Sequence, residues 1–134
     1  MQTNDGMVPV SNARLWGGRI ASGIPALFLL ADGAMKLGKP TVVVETTVQL
    51  GYPESVIVSL GIVLLASAIL YLVPRTAVLG AILLTGYLGG AVATHVRVGN
   101  GAFEVLFPVI VGALLWSGLV LRIPRVADLL PLVR

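Results

Sequence analysis

Four stretches of about 19 to 22 residues, apolar on every side and almost without charge, decide what this chain can fold into. A helix on the surface of a water-soluble domain keeps one polar face, and these stretches have none. Their solvent is therefore a lipid bilayer. The spans fall at about 16–37, 55–73, 77–95 and 103–121, and at about 1.5 Å rise per residue the shorter ones are roughly 28 Å long, enough to cross the hydrocarbon once. An apolar content of 57% with only 11% charged residues is too greasy for a soluble domain of 134 residues. The expected fold is all-α: a single domain, 1–134, forming an integral membrane four-helix bundle.

The formal charge of +3 does not point to nucleic acid, because the nine Lys and Arg residues stand singly between apolar runs and form no basic stripe. They read instead as topology marks. Arg14, Arg19, Arg75, Arg122, Arg125 and Arg134 collect on one side of the four spans, and Lys36, Lys39 and Arg97 on the other, so the six-charge side should face the cytoplasm. Both termini are then expected inside, in a bacterial inner membrane. The first apolar stretch is too long, and too interrupted by Asp32, for a signal-peptide core, and reads as a retained helix. The chain has no cysteine, which excludes disulfide-relay chemistry, thiolate metal sites and cysteine nucleophiles.

The connections are short. Pro74-Arg75-Thr76 ends the second span, since proline cannot donate the next helical hydrogen bond and its predecessor disfavours helical backbone. Between the first two spans, the segment at about 40–50 is too polar and too short to cross again. Pro40 suits a helix start and Gly51 a helix end, so a short interfacial helix is expected, although Val42-Val43-Val44 also suits a strand. In the third span Gly86, Gly90 and Thr94 recur every fourth residue, with Gly89 and Ala93 beside them. This is a small-residue face for close packing within the chain or for a homo-oligomer seam. Pro25 could kink the first helix.

Ionisable residues gather at one end. Asp32 and Lys36 close the first span, Glu54 opens the second, His95 and Arg97 close the third, Glu104 opens the fourth, and Glu45 lies in the first loop; all belong to the extracytoplasmic side. An acid at the centre of a membrane helix costs about 2.5–3.5 kcal/mol, less toward the interface, so Asp32 needs a partner or a purpose. Lys36, four residues on, shares its helical face. The two either neutralise one another or meet a proton or substrate. The single histidine excludes sites built from several imidazoles and a haem held by two histidines of one chain, and leaves only a lone axial haem ligand open. As a proton shuttle His95 suits acid–base work with Asp32, and as a helix-end residue it suits simple hydrogen bonding. Arg97 suits an anionic group or marks the membrane boundary. Thr85 and Tyr87 are expected to satisfy themselves within the bundle. Catalytic candidates are Asp32 and His95; candidates for substrate contact are Lys36, Arg97, Glu104 and Tyr87; none is a metal ligand. There is no phosphate-binding glycine loop, no Gly-x-Ser-x-Gly elbow and no His-Glu-x-x-His motif.

An ordered string of motifs resembles the DoxX-like membrane proteins, from about Arg19 to Leu130. The pieces are Asp32-Gly33-Ala34-Met35-Lys36-Leu37, Leu50-Gly51-Tyr52-Pro53, Pro74-Arg75-Thr76 with Leu79-Gly80-Ala81, and the run from Gly86 to Arg97. Trp116 with Leu121-Arg122 and a closing Leu129-Leu130-Pro131 complete the string. The resemblance implies a four-helix membrane protein acting as an accessory or quinone-associated subunit of a membrane oxidoreductase system. It implies quinone as the bound small molecule and a membrane or soluble oxidoreductase as partner. One feature departs from it: the family often carries a glutamate near the position of Leu64, and this second span has no acid. Two other functions stay open, a stand-alone isomerase or hydrolase of a lipophilic substrate using Asp32 and His95, and a small dimeric transporter. Against the transporter, Asp32 lies near the end of its span and not at the midplane.

Overall fold

The computed structural model describes residues 11–129, and side chains through residue 126. Five α-helices follow in order: α1 (Asn12–Gly38), α2 (Thr41–Gln49), α3 (Ile57–Leu72), α4 (Ala77–Val98) and α5 (Ala102–Arg122), with single 3-10 segments at Glu54–Val56, Pro74–Thr76 and Pro124–Leu129. Counted with their 3-10 turns, α1, α3, α4 and α5 are four helices long and apolar enough to span a bilayer. Many large apolar side chains, among them Ile24, Leu27, Ile62, Ile69, Leu79, Ile82 and Ile110, are exposed on their outer faces. In water such a surface would aggregate; in lipid it is the solvated one. Position 134 and the closing Leu130-Pro131 of the motif string lie outside the described residues.

Local chemistry sets each helix boundary. The Ser11 hydroxyl accepts the Arg14 backbone N–H at 3.1 Å and caps the start of α1, while Lys39, left-handed at φ 50°, returns its N–H to the Met35 carbonyl at the end. α1 continues through Pro25 as one helix. Val73 is extended ahead of Pro74, which stops α3, and the Thr76 hydroxyl donates to the orphaned Leu70 carbonyl at 2.8 Å. Gly99, at φ 78°, ends α4. The segment at 40–50 is helical from Thr41 to Gln49, which resolves the helix-or-strand alternative: Pro40 supplies an extended start and Gly51, at φ 98°, turns the chain away.

The four long helices form a closed ring in which α1 packs on α3 and α5, and α4 on α3 and α5. Glycines set how closely they approach. A Cβ added at Gly118 would meet the Ser22 hydroxyl, Ser22 N at 2.7 Å and Gly18 O at 2.9 Å, so α1 and α5 touch backbone to backbone. Gly33 and Gly61 do the same for α1 and α3: a Cβ on Gly61 would lie 2.9 Å from the Gly33 carbonyl oxygen. Gly80 meets the backbone of Tyr71 across the tight α3–α4 turn. Of the Gly86–Gly90–Thr94 face, Thr94 packs within the chain, buried and bonded to Tyr52. Among the described residues, nothing beyond their own stretch of helix lies within 4 Å of a Cβ built at Gly86, Gly89 or Gly90. The close contacts fall elsewhere because Gly18, Gly33, Gly61 and Gly118 lie on the inward faces of their helices, whereas Gly86 and Gly90 lie opposite the buried Ala77, Ala81, Leu84 and Leu88 of α4.

The end of the bundle that carries Ser11 and Arg122 is packed shut. The fully buried Tyr71 hydroxyl gives its single hydrogen to the Leu115 carbonyl (2.5 Å) and lies 2.9 Å from the Ser22 hydroxyl, which can donate to it, so α3 is linked to α5 and α1. The Arg122 guanidinium stands 5.3 Å over the Tyr71 ring; its Nε and Nη2 are buried without a hydrogen-bond partner among the described residues, and the ring face offsets part of that cost. Arg14 donates to the Val120 and Leu121 carbonyls and ties the start of α1 to the end of α5.

Candidate functional site

At the opposite end the ring opens into a cleft of about 460 Å³, walled by α1, α2, α4 and Leu60 of α3. This falls within the ~300–1,000 Å³ usual for small-molecule sites. Val42, Val43, Leu50, Leu60, Gly86, Gly90 and Ala91 give it mainly apolar walls, and its polar groups are few: Asp32, Lys36, Thr46, Thr47, Tyr52, Tyr87, Thr94 and His95. Such a lining suits an amphipathic molecule, with the polar groups fixing a head and the walls holding a ring or chain.

Helical spacing places the first polar pair. Asp32 and Lys36 lie one turn apart on α1, and Lys36 Nζ meets Asp32 Oδ1 at 2.7 Å with the side chains 13% and 36% exposed, Lys36 the deeper. The ion pair is held at the cleft wall, partly out of water, and the second Asp32 oxygen makes no hydrogen bond among the described residues. Hydroxyls form the second cluster. Thr94 donates to the Gly90 carbonyl at 2.7 Å, so its single hydrogen is used and the Tyr52 hydroxyl, 2.8 Å away, is the donor of their mutual bond. Tyr87 departs from expectation. Its hydroxyl, within electrostatic reach of Asp32 and Tyr52, has no hydrogen-bond partner among the described residues, whereas Thr85 is satisfied by the Trp116 indole N–H at 2.7 Å and by its own helix. A helix interior supplies free carbonyls only to short side chains such as Thr85; the Tyr87 hydroxyl is carried past its own helix into the cleft. His95, at the rim, pairs its Nδ1 with the Asn100 side-chain amide at 2.7 Å; with the amide as donor, the neutral ring keeps its proton on Nε2.

Of the residues singled out from the sequence, Asp32, Lys36, Tyr87 and His95 are brought together here, and Arg97 and Glu104 do not line the cleft. Arg97 donates to the Leu50 carbonyl at 2.9 Å, fixing the end of α2 to α4. Glu104 is exposed in the first turn of α5, where it complements the helix dipole. Glu54 pairs with Lys39 at 3.3 Å, so α2 is tethered on both sides: by Lys39–Glu54, by Arg97 to Leu50, and by Tyr52 to Thr94. The sequence reading missed Tyr52, Thr46 and Thr47 as cleft residues. The available signal was Gly51-Tyr52-Pro53, a forced turn that aims an aromatic hydroxyl back over the bundle. Among the described residues no three His, Asp or Glu side chains are grouped to hold a metal ion.

A ring of four bilayer-spanning helices with one furnished end defines the class: an integral membrane protein of the all-α bundle type. The family model described as the DoxX-like family matches residues 20–118, and the chain belongs to that family. Comparison with curated proteins and with solved structures finds no match.

Proposed function

We propose that the cleft binds the head group of a lipophilic, carbonyl-bearing molecule of the quinone class, and that the protein serves as a quinone-associated subunit of a membrane oxidoreductase system. The observation that carries the reading is the free hydroxyl of Tyr87 beside the Asp32–Lys36 pair in an otherwise apolar cleft. A quinone ring offers carbonyl acceptors and a flat apolar body. Tyr87 donates to one carbonyl, Lys36 supplies positive charge near it, and Val42, Val43, Leu50 and Leu60 enclose the ring. Asp32 and His95 stand where protons taken up or released by a bound ring would pass. The oxidoreductase role itself rests on family analogy. The closed opposite end, sealed around Tyr71 and Leu115, speaks against transport through a single bundle and favours a site entered from one end.

The charge distribution supports an orientation. Arg14, Arg19, Arg75 and Arg122 lie at the closed end, and Lys36, Lys39 and Arg97 at the cleft end, a bias that supports a cleft facing the extracytoplasmic side of a bacterial inner membrane. The test is purification in mild detergent, then mass spectrometry of everything retained, small molecules and proteins together, and titration with a benzoquinone. Retained quinone or an oxidoreductase partner, with benzoquinone binding weakened by Asp32→Asn and Tyr87→Phe, is the expected result. A partnerless protein that neither retains nor binds a quinone would overturn the reading and bring forward isomerase or hydrolase chemistry at Asp32 and His95.

A further inference from the structure

The two rims of the cleft differ. On the α2 side three tethers close it, Lys39–Glu54, Arg97 to Leu50, and Tyr52 to Thr94. On the α4 side Gly86 and Gly90 both line the cleft and are both exposed, with no atom of the described residues beyond their own stretch of helix within 4 Å of where a Cβ would sit. The wall is missing there because these two residues have no side chains to build it. The depth of that gap matters. From His95 at the rim to Gly86 is nine residues of helix, about 13 Å at ~1.5 Å per residue. Gly86 is also close to the middle of α4, which spans Ala77–Val98 over 22 residues. In a bilayer the gap therefore opens sideways into hydrocarbon and not upward into water.

We infer that the cleft is loaded laterally from the membrane through the Gly86–Gly90 gap, and that its ligand is a lipid-borne molecule whose long apolar chain stays in the bilayer while its head reaches Asp32, Lys36 and Tyr87. This deepens the binding reading of the cleft and rests on it. The lateral mouth explains why Gly86 and Gly90 are used for no packing inside the described chain: a side chain at either position would stand in the path of the ligand's tail. It also makes chain length, and not only head-group chemistry, a determinant of what the site accepts.

The absence of cysteine from the chain makes the first test direct. Gly86→Cys and Gly90→Cys, each carrying a nitroxide label in liposomes, should collide readily with oxygen, which concentrates in hydrocarbon, and poorly with a water-soluble nickel chelate. Collision with the chelate would mean an aqueous mouth, and protection from both quenchers would mean that a second copy covers the face; either overturns the inference, and neither depends on which ligand binds. The second test compares a tailless benzoquinone with the same ring bearing a long isoprenoid chain. Gly86→Leu and Gly90→Leu meet no neighbour and should fold, and either should slow association of the tailed ring about tenfold more than that of the tailless one. Equal slowing of both overturns the lateral route. If the unmodified protein binds neither ring, the quinone assignment fails, and the label accessibilities decide the mouth.

Discussion

The two ends of the bundle use the same materials to opposite effect. At the closed end Gly18 and Gly118 let α1 and α5 meet at backbone distance, and the buried Tyr71 hydroxyl is bonded to both the Leu115 carbonyl and the Ser22 hydroxyl. Along the cleft no described neighbour lies within 4 Å of a Cβ at Gly86 or Gly90, and the Tyr87 hydroxyl finds no partner among the described residues. Glycine and tyrosine are neither structural nor functional by type; what a neighbouring helix brings to within 3 Å decides it. A helix pair with interlocked glycines gains dispersion contacts and cannot open, whereas a glycine face without a neighbour keeps space available. The molecule therefore reads as a rigid base holding a furnished cleft.

The largest expected effect that could break this contrast is at the base. Gly118→Ala places a methyl against the backbone and hydroxyl of Ser22 and the Gly18 carbonyl, none of which can withdraw without separating α1 from α5. Overpacking against backbone should cost about 3 kcal/mol or more, seen as a large fall in thermal denaturation midpoint in detergent. A midpoint unchanged from the parent protein would show that the base is not the rigid half. Tyr71→Phe keeps the ring under Arg122 and removes only the hydroxyl, so the loss should be smaller, about 1–2 kcal/mol, with Ser22 and the Leu115 carbonyl left to each other or to nothing.

At the cleft the order of effects reverses. Asp32→Asn removes the counter-charge of Lys36, whose side chain is only 13% exposed, and should cost roughly 1 kcal/mol of stability while lowering benzoquinone affinity at least tenfold. The pairing itself is tested by Lys36→Met in the Asp32→Asn background, which should regain most of the stability and none of the binding. Stability that fails to return would mean the two residues are not coupled. Tyr87→Phe discards a hydroxyl with no partner in the fold, so the denaturation midpoint should stay within about 0.5 kcal/mol of the parent while binding weakens several-fold. A fall in stability as large as that of Tyr71→Phe would show that Tyr87 is structural after all.

Much of this was legible in the sequence, and the limits were physical. Apolar runs of spanning length, with Pro74 closing the second, define α3, α4 and α5, because bilayer thickness and backbone chemistry act locally. Asp32 with Lys36 was legible for the same reason, since one helical turn joins them. The glycine face of α4 was visible as a pattern, but its role was not. A four-residue spacing says that a face is small, not whether another helix covers it, and that depends on which way the helix is rotated in the ring. Arg97 and Glu104 were read as substrate contacts beside His95 because all three are polar residues at helix ends on the same side of the four spans. Only the placement of α2 separates them, by drawing Arg97 onto the Leu50 carbonyl and leaving Glu104 on α5 away from the cleft. Tyr52 stayed hidden because its role is made by a turn at Gly51 followed by a contact 42 residues away.

The smallest expected effect is also the most discriminating between packing and vacancy. Alanine in a helix interior is favoured over glycine by about 0.5–1 kcal/mol because it loses less backbone freedom on folding. Where a glycine is needed for close approach that gain is overwhelmed, as at Gly118. Where nothing stands within 4 Å it should be realised, so Gly89→Ala, on the same α4 face but outside the cleft wall, should raise the denaturation midpoint slightly without changing benzoquinone binding. Gly86→Ala should give the same small gain in stability, yet narrow the lateral mouth by one methyl and so slow a tailed ring modestly. The pair of variants separates the two uses of an empty helix face. If both destabilise the protein to a similar degree, α4 has a neighbour in the membrane, and the face belongs to an assembly of several copies instead of to a passage for ligand.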